Sequence, residues 1–333
     1  MSVDETAWHF LVNPAAGRGK ALLRWQKLLP RLKEALPGMT VAESTAKTGM
    51  AALAESAVRA GNTRIVGAGG DGTHHDILNG IIASGGLGRV IYAPLPLGTG
   101  NDWVRSLNTP RQLDQWLAML KKEKTIPHRI GVLNYVANLS NTGNASKTNN
   151  ASIVSNVPPL PWRGVGGEDK TTHFLNITGL AYDAEVVRRS ETARYKHRFL
   201  YPFLTLLYLK DFIPPAVRID YDGQTFTGPV HTINLGIGRY SGGGMRLVPQ
   251  ADPTADTLAL TFARRLPVWK IVLESWRFYT GTVGRITGVT TTHAKSISIT
   301  PVTGSLEMEA DGEWLGRGRV AAGLLDECLR VVV

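Results

Sequence analysis

The sequence predicts an α/β first domain, with a doubly wound parallel sheet, followed by a mostly antiparallel β domain. Three observations predict it. Up to about residue 131, short β-branched runs alternate with amphipathic ones, the pattern of strands and crossover helices. Two of those strands run straight into glycine-rich turns, Gly69-Gly70-Asp71-Gly72 and Gly98-Thr99-Gly100. Beyond residue 170 the apolar runs become short, strand-like and separated by turns. The domains are therefore set at 1–131 and 132–333, and the last segment is left open to return to the first domain.

Trp8–Val12 reads as the first strand, Asn13–Lys20 as a loop, and a helix continues to about Leu36. The loop is not a P-loop, because the Walker spacing and the hydroxyl residue after Lys20 are missing. Thr40–Ser44 reads as a strand and Thr48–Ala60 as an alanine-rich helix. Arg64–Ala68 is a buried strand, and after Thr73 the residues Ile77, Leu78, Ile81 and Ile82 recur at helical spacing. Thr73 is the expected cap of that helix, and Asp76 suits its positive first turn. Val90–Leu95 is the next strand, and Trp103–Leu107 opens another helix. Asn134–Lys170 is rich in Asn, Ser, Thr, Gly and Pro, so it reads as a flexible insertion at about 136–170. Phe174–Leu180, Val217–Tyr221, Thr232–Ile237, Leu258–Phe262, Ser296–Ile299 and Arg319–Ala322 supply the later strands.

A strand, a glycine turn and a helix N-terminus together form a cradle for phosphate, because glycine admits a ligand close to the backbone and the helix end presents N–H groups. Gly67, Gly69 and Gly72 also satisfy the G-x-G-x-x-G dinucleotide pattern. That pattern needs an acid roughly 20 residues further on for the ribose, and residues 86–101 hold none. The turn instead carries Asp71, which would repel a pyrophosphate unless a metal intervened. A nucleoside triphosphate with Mg²⁺ is therefore favoured over NAD.

The 333 residues carry a net charge of +10, which suits an anionic partner. No nucleic-acid motif or Lys/Arg block accompanies it, so no specific nucleic acid is expected. Cys328 is the single cysteine, which excludes an intrachain disulfide and a Cys-based zinc site. The start, with Asp4 and Glu5 and no basic segment, does not read as a secretory signal, and no apolar run reaches the roughly 18 residues of a spanning helix. Phe199–Leu209 is apolar except for Thr205 and is flanked by Arg194, Lys196, His197, Arg198 and Lys210. It reads either as a core helix or as a basic-rimmed surface for lipid.

Gly69–Thr73 with Asn79-Gly80, and Pro96-Leu97-Gly98-Thr99-Gly100-Asn101-Asp102, resemble the diacylglycerol kinase catalytic-domain family, which includes bacterial lipid kinases and sphingosine kinases. Asn13 through Gly17 resembles its first nucleotide loop, and Thr45 a threonine near its nucleotide. Gly179–Ala184, Tyr240–Pro249 and Asp311-Gly312-Glu313 resemble motifs of its second domain. The resemblance implies a nucleotide domain followed by a β-sandwich, and transfer of the γ-phosphoryl group of ATP to a lipid hydroxyl. It implies nucleotide contacts from Asn13, Gly17, Thr45, Gly69, Gly70, Gly72, Thr73, Gly98, Thr99 and Asn101. Asp71 would organise Mg²⁺, with Asp102 joining through water, and Glu313 would be the catalytic base. Two departures stand out. Arg129-Ile130-Gly131 replaces an Asp-aliphatic-Gly motif whose Asp belongs to the metal network. After Pro249 the usual Asp-Gly is missing, leaving Asp252 and Asp256 as candidates for a structural Mg²⁺ site.

The expected function is an ATP-dependent lipid kinase, cytoplasmic and peripheral to the membrane, with diacylglycerol as the default acceptor. A sphingoid base or another lipid alcohol is the alternative acceptor, and a nucleotide-binding regulator without turnover is the alternative that Arg129 raises. A homodimer stays open.

Overall fold

The computed structural model describes residues 7–137, 168–192, 208–302 and 305–333. They divide into two units. The first comprises Met1–Ile130 together with Gly242–Gly244 and Glu327–Val333.

In the first unit, β1 (His9–Val12), β2 (Thr40–Glu43), β3 (Arg64–Gly69) and β4 (Ile91–Pro96) are joined by α1 (Lys20–Ala35), α2 (Met50–Arg59) and α3 (Asp71–Ala83). The helices α4 (Asp102–Ser106) and α5 (Leu113–Lys122) follow, then β5 (Thr125–His128). The sheet order is β2-β1-β3-β4-β16-β5, parallel from β2 through β16 (Leu329–Val332). The strands are apolar on both faces because helices cover both: Phe10, Val12, Val66, Ala68, Ala93 and Leu95 pack with Trp25 and Trp116. The order turns back between β1 and β3. In open α/β sheets that reversal leaves a crevice at the strands' carboxyl ends.

The second unit is built on long strands that bend. β10 (Gln224–Gly236) pairs with β9 (Ala216–Tyr221) through its first half and with β8 (Ile177–Ala181) and β11 (Leu258–Arg264) through its second. β15 (Glu313–Leu324) likewise pairs with β14 (Glu307–Ala310), then with β13 (Ile297–Pro301) and β6 (Gly131–Ala137). Register breaks at Val230/Thr232 and Met308/Glu309 mark the corners, as bulges do where strands pass between packed sheets. β12 (Val289–Ala294) flanks β11, and β7 (Glu168–Phe174) flanks β6. Leu180, Ile219, Ile233, Leu260, Ile299, Met308 and Val320 fill the core between the layers.

Several expectations are corrected. The reading of 136–170 as an insertion is too wide. Residues 136–137 and 168–170 belong to β6 and β7, with Tyr135 opposite Lys170 and Ala137 opposite Glu168. Backbone pairing to the apolar β6 holds the polar β7, so composition alone hid it. The run Phe174–Leu180 is broken at Leu175-Asn176, where β7 ends and β8 begins. The helix α6 (Tyr182–Thr192), the helices Val268–Glu274 and Trp276–Thr280, and the strands β5, β12, β14 and β16 were not anticipated. Most of the apolar run 199–209 lies outside the described residues.

Candidate functional site

The glycine turn after β3 begins α3 at Asp71, with Gly70 as its cap residue. Thr73 is therefore not the cap: it is the third helical residue, and its hydroxyl accepts the N–H of Gly70 at 3.4 Å and the side-chain amide of Asn13 at 3.0 Å. A glycine cap has no side chain to close the first turn, so Thr73 closes it from within. Asp76 falls in the second turn rather than the first, and burial pushes its carboxyl up while His75 opposes. Asp71 occupies the first turn in its place.

Two glycine turns meet backbone to backbone. Leu97 and Gly98 both donate N–H bonds to the Gly69 carbonyl, at 2.7 and 2.8 Å. A Cβ on Gly98 would lie 2.4 Å from Gly70 Cα, so no other residue fits there. Gly67 has a different purpose. A Cβ there would lie 1.9 Å from the Tyr92 hydroxyl, which bonds His74 Nδ1 at 2.6 Å. The first glycine of the apparent dinucleotide pattern thus makes room for a buried Tyr–His pair.

The loop after β1 joins the same edge. Asn13 accepts the N–H of Ala15 at 3.1 Å and reaches Thr73 with its amide. Gly17, at φ 59°, lies against Leu97 and Thr99. Arg24 donates to the carbonyls of Leu97 and Gly98. Asn101, in the left-handed region at φ 54°, donates to the Gly98 carbonyl at 3.0 Å, while its own Oδ1 is buried without a hydrogen-bond partner. Thr45 follows β2, its hydroxyl receiving the N–H groups of Lys47 and Thr48. The nucleotide residues expected from the sequence thus lie at the carboxyl ends of β1, β2, β3 and β4, in the loops there and at the start of α3.

Two carboxylates flank Gly100. A Cβ at that position would lie 3.0 Å from Asp71 Oδ2 and 3.9 Å from Asp102 Oδ2. Asp71 Oδ1 accepts the N–H of Trp103 at 3.1 Å, capping α4, a service that the left-handed Asn101 does not provide. Asp102 is buried, which raises its pKa; the N–H of Gly243, at 2.6 Å, and Arg105 oppose that rise. Two hard oxygen donors beside a phosphate cradle fit Mg²⁺, which takes few protein carboxylates and completes its shell with phosphate and water. Among the described residues no cluster of three or more His, Cys, Asp or Glu forms a metal cage. Asp252 is exposed and spent on an Asx turn with Thr254, whose N–H and hydroxyl hold its carboxyl below the usual range; Asp256 is exposed. Arg129 has its carbonyl bound by His128 Nδ1 at 2.6 Å, and His128 Nε2 accepts the Trp103 indole N–H at 3.0 Å. The charge-reversed position is thereby anchored behind α4.

In the second unit, Asp311-Gly312 forms the β14–β15 turn with both φ angles positive, 49° and 89°, the geometry of a two-residue hairpin. Glu313 opens β15 and is exposed. Asp311 is not spare: its carboxylate accepts the N–H groups of Leu175 and Asn176 at 2.8 and 2.9 Å. From below, Glu309 Oε2 accepts the N–H of Gly312 at 2.8 Å. Glu309 is buried and Asp183 half-buried; desolvation pushes both carboxyls up, and Asp183 and Asp311 add to the cost of charging Glu309. The Thr232 hydroxyl donates to Asp183 at 2.6 Å. The support from Glu309 was missed, because acids alternate with apolar residues from Leu306 to Ala310 and that pattern reads Glu309 as facing solvent.

Each unit has its counterpart among known protein domains. Residues 7–133 match the diacylglycerol kinase catalytic domain, and residues 177–333 match the YegS C-terminal NAD kinase beta sandwich-like domain. The chain belongs to the diacylglycerol-kinase-like lipid kinase family. It is 22% identical to the putative lipid kinase YtlR of Bacillus subtilis over 93% of this chain and 94% of that one. It is 23% identical to a diacylglycerol kinase of the same organism, covering 92% and 89%. A crystal structure of a putative diacylglycerol kinase from Bacillus anthracis matches with a TM-score of 0.69 and 21% identity, covering 98% and 96%, which supports the fold.

Proposed function

We propose that the protein is an ATP-dependent lipid kinase that phosphorylates a lipid hydroxyl, with diacylglycerol as acceptor and phosphatidic acid as product. The observation that carries the proposal is the strand-end cradle, where two abutting glycine turns sit beside Asp71 and Asp102. Gly69, Gly70, Gly72 and Thr73 surround the phosphates of ATP, which the backbone N–H groups at the start of α3 receive, and Asn13, Gly17, Thr45, Gly98, Thr99 and Asn101 line the nucleotide. The buried Asn101 Oδ1 takes a donor from it. Asp71 and Asp102 would hold Mg²⁺, which neutralises charge on the phosphoryl group as it transfers. Glu313 accepts the proton of the acceptor hydroxyl as its oxygen bonds to the γ-phosphorus and the bond to the β–γ bridging oxygen breaks, releasing ADP. Relatives described as diacylglycerol kinases support that acceptor.

The test is radiolabelled ATP with Mg²⁺ and a panel of micellar lipids, run beside Glu313→Gln. Label in phosphatidic acid, lost in the variant, is the expected result. Label in a phosphorylated sphingoid base would change the acceptor and keep the chemistry. ATP binding without label in any lipid would overturn the kinase reading.

A further inference from the structure

The second unit contains a helical pair with its amphipathicity turned inside out. Val268–Glu274 and Trp276–Thr280 link β11 to β12, and neither fully buries a residue. Trp269, Leu273, Trp276 and Tyr279 are 67%, 66%, 52% and 56% exposed, and Val268 and Val272 are exposed beside them. Steps of three and four put these side chains on one stripe. The polar residues lie off the stripe and are already engaged: Lys270 donates to the Thr287 carbonyl at 3.2 Å, and Arg277 pairs with Glu274. Ile271 turns inward, against Tyr182, Val186 and Leu209. An ordinary surface helix buries its apolar stripe and wets its charges. A contiguous apolar surface of this kind marks a partner.

The surroundings identify the partner's chemistry. From Arg264 to Arg285 the chain carries Arg264, Arg265, Lys270, Arg277 and Arg285 against Glu274 alone, and Arg277 already takes up that acid. Arg264, Arg265 and Arg285 are exposed. The Arg277 guanidinium lies 4.5 Å above the Trp276 ring. Large apolar side chains and amphipathic Trp and Tyr rings beside unpaired cationic surface are what an anionic bilayer interface selects. Such a partner complements the charge and demands no particular shape. We infer that this stripe docks the protein onto anionic membranes, with Trp269, Leu273 and Trp276 inserted among the lipids and the arginines at the headgroups. The inference rests on the lipid-kinase reading for its purpose, since it delivers the enzyme to an acceptor that resides in the bilayer.

The test is co-sedimentation of the full chain with phosphatidylcholine vesicles, with and without phosphatidylglycerol. The parent should bind the anionic vesicles, and added salt should weaken binding. The triple variant Trp269→Glu/Leu273→Glu/Trp276→Glu should lose at least about tenfold in partitioning, with ATP affinity unchanged. Arg264→Glu/Arg265→Glu should erase the preference for phosphatidylglycerol. Should the triple variant fail to fold, vesicles with brominated acyl chains give an independent reading. They should quench part of the parent's tryptophan fluorescence, and Trp269→Phe/Trp276→Phe should bind but lose that quenching. Equal binding by the folded triple variant, or no quenching in the parent, overturns the inference. So does a triple variant that turns a dimer into a monomer while vesicle binding persists, which would mean that a second copy covers the stripe. None of these readouts needs turnover, so an inactive protein would fail the kinase proposal and leave this one standing.

Discussion

At the scale of single residues, two positions make the sharpest statements. Gly98 abuts the backbone of Gly70 with no space for a methyl group. Gly98→Ala must part the two turns, at a cost of about 1–3 kcal/mol, read as a lower urea midpoint together with weaker ATP binding. Glu309 makes a pH prediction. Its folded pKa is raised by burial, with Asp183 and Asp311 adding to the rise. The unfolded chain therefore gives up this proton at lower pH than the folded one. Through that window the folded state holds more protons, so stability falls as pH rises, by up to about 1.4 kcal/mol per unit. Glu309→Gln should flatten that part of the profile. Urea melts from pH 4 to pH 8, parent against variant, read the difference; parallel profiles would remove the assignment. The position of Asp71 inside the glycine turn was legible in the sequence. Its bond to Trp103 was not, since 32 residues separate the partners and no local pattern records the contact.

Among elements, α4 and the β14–β15 hairpin each depend on an acid supplied from elsewhere or turned back onto a neighbour. Asp71→Asn keeps an acceptor for the Trp103 amide and removes the charge. It should hold stability near the parent's while abolishing transfer to lipid. Asp71→Ala should lose transfer and also about 1 kcal/mol of stability, measured by urea unfolding. If both variants retained turnover, Asp71 would have no role with Mg²⁺. Most first-domain elements were readable because β1, β3 and β4 are almost wholly buried and the helices repeat at 3.6 residues. The polar strand β7 was not, because its signal lies in backbone pairing between residues 131–137 and 168–174. The outward stripe on Val268–Glu274 was also hidden: periodicity locates an apolar face without saying whether it is covered.

For the whole molecule, the two units are not two stretches of chain. Glu327–Val333 belongs to the first unit, where β16 lies between β4 and β5 with Leu329, Val331 and Val332 buried. Ending the chain at Asp326 should therefore unravel the first sheet, with loss of ATP binding and of soluble yield. A truncated chain that still bound ATP normally would show that β16 is dispensable. Gly242–Gly244 also belongs to that unit, through the bond from Gly243 to Asp102.

The sequence by itself determined the class of the fold, the positions of both glycine turns, and the family that the motifs mark. These are local matters: glycine, β-branching and helical period act over a few residues and leave their record in the order of the chain. The tertiary structure alone decided that Thr73 closes a turn capped by Gly70, that Gly67 makes room for Tyr92, that Glu309 supports the hairpin from inside the core, and that the final strand completes the first sheet. Apart from the local Thr73–Gly70 contact, each depends on residues that are distant in sequence or on what the rest of the fold packs against an element, and neither leaves a periodic trace.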